Sequence, residues 1–80
     1  MTTHEVIVKR LLSLCQEHHT NPHALAKMAG IPSSSIKNIL YGKSQNTGVI
    51  TIKKLCDGLD ITLGEFFNTE EFNELEQEIK

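Results

Sequence analysis

The chain has no tryptophan, two prolines and two cysteines among its 80 residues, and it lacks several longer signals as well. No apolar run approaches the roughly 18 residues that a membrane-spanning helix requires. The opening stretch MTTHEVIVKRLLSLC is interrupted by Glu5, Lys9 and Arg10. It also lacks the basic start, apolar block and small-residue cleavage site of a secretory signal, so a cytoplasmic protein without a membrane partner is the default expectation. Cys15 and Cys56 each fall inside an apolar helical pattern and read as buried, reduced thiols. A disulfide would need an oxidising compartment that nothing else in the sequence implies. There is no phosphate-binding glycine loop, no nucleophile motif and no HExxH, so neither an enzyme nor a cofactor is expected. Cys15, His18, His19 and His23 crowd one turn, but without the tight, repeated spacing of structural zinc ligands, and no metal site is expected.

No long alternating apolar stretch marks a sheet, whereas helical spacing recurs throughout. A chain this short makes one domain with little margin for a core. A first helix is expected from about Thr3 to His18, with Ile7, Leu11, Leu14 and Cys15 on its buried face and Val8 and Leu12 widening the stripe. Asn21 as N-cap and Pro22 at the first helical position start a second helix, which carries Leu25, Ala26, Met28 and Ala29 and closes at Gly30. A third begins at Pro32 or Ser33 and ends at Tyr41, with Ile36, Ile39 and Leu40 inward and a second glycine stop at Gly42. After a polar loop over 43–50, Thr51 is a plausible cap for a fourth helix carrying Ile52, Leu55, Cys56 and Leu59. Thr62 and Glu65 form a capping-box pattern for a short fifth helix, in which one ring of the Phe66–Phe67 pair turns inward. Phe72, Leu75 and Ile79 fall at i, i+3 and i+7, which fits a short sixth helix or a fraying tail equally well.

The net charge of −2 hides a division. Residues 1–64 carry seven Lys/Arg against four Asp/Glu, a balance of +3, while residues 65–80 carry six Glu and one Lys, a balance of −5. The body is mildly basic and the tail is acidic.

The segment NPHALAKMAGIPSSSIKNILYG, residues 21–42, has the layout of a helix-turn-helix. Ala26 is small where two helices cross, and Gly30 tolerates the positive φ of a tight turn. The second helix pins its inner side with Ile36 and Ile39 and leaves serines, Lys37 and Asn38 outside. LAKMAGIPSSSIKNILYGK, together with the later TIKKLCDGLDITLGEFF, resembles the phage repressor and Cro-type, or XRE, family of transcriptional regulators over roughly residues 6–67. The resemblance implies an all-α, five-helix repressor/Cro-like DNA-binding domain over 1–67, with residues 68–80 as an acidic tail.

It further implies that outward residues early in the third helix read bases: Ser33, Ser34, Lys37 and Asn38. Asn is the strongest reader of these, because its amide can bond an adenine edge in a bidentate manner. The start of the second helix, at Asn21 and His23, is a natural phosphate site. The loop Lys43, Ser44, Gln45, Asn46 and Thr47 holds further phosphate contacts by resemblance, and the Tyr41 hydroxyl adds another. Pro32 departs from the Ser or Thr that commonly caps this helix in the family. Either Pro32 fills the cap without an acceptor, or Ser33 takes over the capping. Phe67, Phe72, Leu75 and Ile79 are candidates for a homodimer contact. The expected partner is double-stranded DNA. The alternative is a protein-interaction module, such as an antitoxin-like partner-binding protein.

Overall fold

A computed structural model describes residues 1–42 and 45–79. Lys43 and Ser44, both expected phosphate contacts, lie outside the described residues, as does Lys80. Among the described residues the fold is entirely helical: α1 (Thr3–Glu17), α2 (Pro22–Ala29), α3 (Ser33–Leu40), α4 (Val49–Leu59), α5 (Leu63–Phe67) and α6 (Glu70–Asn73).

The first helix starts on a reciprocal cap. Thr2 Oγ1 accepts from the Glu5 N–H at 3.1 Å, and the Thr2 N–H donates to Glu5 Oε1 at 2.8 Å. Those bonds hold the Glu5 carboxyl below its ordinary pKa. Ile7, Leu11, Leu14 and Cys15 are buried as their spacing predicts, and Val6 joins them. Leu12 does not, and is 46% exposed. At about 100° per residue it lies roughly a quarter turn from the line through Leu11 and Cys15, off the buried face. His4 occupies that line instead. It is buried, and neither ring nitrogen has a partner among the described residues.

The centre of the molecule is the crossing of α2 and α4. Leu25, Leu55 and Cys56 are fully buried there, and Ala26 is 1% exposed. The closest approach is made by Gly58: a Cβ at this position would stand 3.1 Å from the Ala29 nitrogen and 3.3 Å from the Met28 carbonyl carbon. Met28 itself points outward and is 53% exposed. Burial pushes both the Cys15 and Cys56 thiols up in pKa, which leaves them protonated and unreactive.

The fourth helix begins earlier than expected. Gly48, not Thr51, is its N-cap, and no side chain caps it. Val49 and Ile50 therefore form its first turn, both largely exposed. Their outward position breaks the apolar periodicity that would have marked the start.

The fifth helix begins on the Thr62–Glu65 capping box. It buries Phe66 completely, and Phe67 packs edge-on to Phe66 and to Phe72 at centroid distances of 4.8 and 4.9 Å. Arg10 ties the end of α5 to α1. Its Nε donates to the Phe66 carbonyl and its Nη2 to the Glu65 carbonyl, both at 2.8 Å, and so places a cation on carbonyls that the helix leaves unpaired. The sixth helix stops at Asn73, so Phe72, Leu75 and Ile79 do not share one helix. Glu70–Glu74 and Glu74–Glu78 would repel each other at i, i+4 in a longer one. Leu75 is half-buried and Ile79 is exposed.

Candidate nucleic-acid interface

The hydrogen bonds at the ends of α2 fix how the helix-turn-helix is presented. Asn21 Oδ1 accepts from the Ala24 N–H at 2.9 Å, with Pro22 in the first turn. This uses the carbonyl half of the Asn21 side chain and leaves its NH₂ free. At the other end Gly30 adopts φ 70°, and the Ile31 N–H returns to the Ala26 carbonyl at 3.0 Å. The turn into α3 follows from these two bonds and from Pro32.

Pro32 takes the N-cap position of α3 with φ −63° and ψ 146° and makes no side-chain cap bond. Of the two options open in the sequence, the proline fills the cap, and Ser33 is not consumed by capping. The Ser35 N–H reaches the Pro32 carbonyl at 3.0 Å, while the Ser33 and Ser34 N–H groups have no acceptor among the described residues. The start of α3 is thus a helix end with donors open to solvent or to a ligand.

Ile36 and Ile39, each 2% exposed, hold α3 to the body. Opposite them, Ser34, Lys37, Asn38 and Tyr41 are exposed. Helical geometry sets these four within about 100° of one another on a single outward face. Ser33 is half-buried at its edge. None of these side chains is engaged in a hydrogen bond among the described residues.

Of the expected phosphate contacts, Asn21, His23, Tyr41, Gln45 and Asn46 are exposed. Gln45 Nε2 donates to the Gly42 carbonyl at 2.7 Å and steadies the loop after α3. Thr47 differs: its Oγ1 is buried without a partner among the described residues, so its hydroxyl is turned away from any ligand in solution. The four groups of the histidine–cysteine cluster are dispersed, since Cys15 lies in the core while His18, His19 and His23 face solvent.

A division at Gly64 alone does not show a further charge feature. Between Glu17 and Asp57 the chain has five lysines and no Asp or Glu. The whole helix-turn-helix and its flanking loops are free of carboxylates, and the signal for this is positional rather than a matter of net charge.

A family model for the Cro/C1-type HTH DNA-binding domain matches residues 10–71. The chain belongs to this family. The crystal structure of the prophage Lp1 protein 11 is similar to it, with a TM-score of 0.83 and 28% sequence identity over 94% of this chain and 100% of that one. No curated protein matches the chain. As a Cro/C1-type domain with a Cro-like fold, the chain is a DNA-binding regulator in class. No helix among the described residues is long and apolar enough to cross a membrane.

Proposed function

We propose that this Cro/C1-type protein is a cytoplasmic, sequence-specific transcriptional regulator that acts as a dimer, with α3 of each subunit in the major groove. Residues 1–67 carry the DNA-binding unit and residues 68–80 form an acidic appendage. The observation that carries this reading is the outward face of α3, where Ser34, Lys37, Asn38 and Tyr41 stand exposed and unengaged within a segment that has lysines and no carboxylates. Asn38 is the principal base reader, Ser33 and Ser34 contribute weaker readout, and Lys37 reaches guanine or phosphate. Asn21, His23, Tyr41, Gln45 and Asn46 set the docking through phosphates.

Two such subunits read half-sites about 10 bp apart. The dimer contact runs through α5 and the tail, to which Leu75 and the exposed Ile79 offer apolar surface. Phe67 and Phe72 add only their outer edges, because each packs in its own chain. Truncation after Asn68 should give monomers by light scattering, and an unchanged mass rejects this contact.

Selection of bound sequences from a random DNA pool tests the reading as a whole. The expected result is a paired motif that loses about 1–3 kcal/mol of preference at one base position per half-site in Asn38→Ala. A preference that Asn38→Ala leaves untouched removes that residue from base reading. The competing reading, a protein-interaction module, draws on the exposed groove of Met1, Leu12, Leu40 and Tyr41 between α1 and the end of α3. Phosphate contacts make DNA binding fall steeply with salt, so absence of duplex binding even at low salt favours the module.

A further inference from the structure

The fold brings the acidic end of the chain beside the loop that follows α3. From α6 the tail runs back along α1. Lys9 Nζ meets Glu71 Oε2 at 2.5 Å, and Thr3 Oγ1 donates to Glu78 Oε2 at 2.6 Å. Between these anchors Leu75 lies with Met1 and Val6. At the end of this path Thr3, Glu5, Gln45, Asn46, Glu76 and Glu78 line one open cleft. Two tail carboxylates therefore share a cleft with two residues of the loop proposed to meet phosphates.

We infer that the tail is an electrostatic brake on DNA binding: docked along α1, it holds Glu76 and Glu78 where they repel the DNA backbone from the α3–α4 loop, and its release strengthens binding. This inference rests on the DNA-binding reading above. The helix-turn-helix segment itself is free of carboxylates, and at this edge Glu76 and Glu78 add two negative charges to that of Glu5 in the same cleft. Screening sets the reach at about 8 Å in physiological salt, so the effect is confined to phosphates at that edge.

The construction also suits a device that opens. Phe72 packs against Phe66 and Phe67 and keeps α6 in place. Residues 76–79 are all exposed, and among the described residues their one side-chain anchor is the solvent-facing Thr3–Glu78 hydrogen bond. An approaching phosphate adds repulsion that favours the undocked tail, so binding and release are coupled.

The test compares two charge-neutralising pairs. E76Q/E78Q removes the carboxylates that line the cleft, and E70Q/E74Q removes the same charge from tail positions outside it. Both leave Phe72 and Leu75 in place. Anisotropy with a labelled random-sequence duplex should show E76Q/E78Q binding about threefold to tenfold tighter than the native chain at low salt. The gain should shrink as salt is raised from about 50 mM to about 200 mM, and E70Q/E74Q should gain clearly less. Equal gains from the two pairs, or no gain from E76Q/E78Q in a chain that binds, overturn the brake alone. No binding by any variant at low salt overturns the DNA-binding reading and the brake with it.

Discussion

The α2–α4 crossing and α3 are held in opposite ways. At the crossing, backbone meets backbone: a Cβ at Gly58 would press on the backbone of Met28 and Ala29, and Leu25 and Leu55 fill the space around it. The third helix touches the body through Ile36 and Ile39, with Leu40 packed at their edge, starts on a proline without a side-chain cap, and leaves its outer half unengaged. Position is fixed by the first pair of helices, and the third is carried on them with a free face. Such a division lets the outer residues of α3 vary without disturbing the framework, because they contribute almost nothing to stability.

Because Ile36 is the most deeply placed anchor of α3 together with Ile39, Ile36→Ala should have the largest effect, a loss of about 2–5 kcal/mol in chemical denaturation. A loss below about 1 kcal/mol would show that α3 is held by something else. Gly58→Val tests the crossing itself. The new side chain meets backbone atoms that cannot rotate away, and the expected cost is about 1–3 kcal/mol. In a domain this small that corresponds to a fall in Tm of roughly 4–8 °C per kcal/mol. The contrast between helix ends is next. Asn21→Ala removes the α2 cap and should cost about 0.5–2 kcal/mol. Pro32→Ser supplies α3 with the cap it lacks, but gives up the restriction that proline imposes on the unfolded chain. The two terms are of similar size, so the net change should stay within about 0.5 kcal/mol. A gain well above that would mean that α3 is limited by its uncapped start.

The features legible in the sequence were those with a local chemical cause. Asn21, Gly30, Thr62 and Glu65 mark helix ends through bonds to residues a few positions away, and each makes such a bond. The stripe of α1 is legible through Leu11 and Cys15, while Leu12, which composition adds to the stripe, is turned off it by angle. The start of α4 was hidden because Gly48 caps without a side chain and Val49 and Ile50 are exposed. Gly58 looks like a fault in a helix until α2 is laid against it. Arg10 reads as an ordinary surface cation, because its acceptors, the Glu65 and Phe66 carbonyls, are far along the chain. For the candidate interface, spacing identified which side of α3 faces outward. It gave no indication that the Thr47 hydroxyl turns inward or that the tail comes to lie beside Gln45 and Asn46.

The Arg10 clamp also bears on the entropy of the chain. It joins residue 10 to residues 65 and 66, whereas the α2–α3 turn and the α2–α4 crossing close over much shorter lengths of chain. Closing a longer loop forfeits more chain entropy before any contact rewards it. Each doubling of loop length costs only about 0.6 kcal/mol, so the two hydrogen bonds of Arg10 are set against a small entropic cost and hold the two ends of the chain together cheaply.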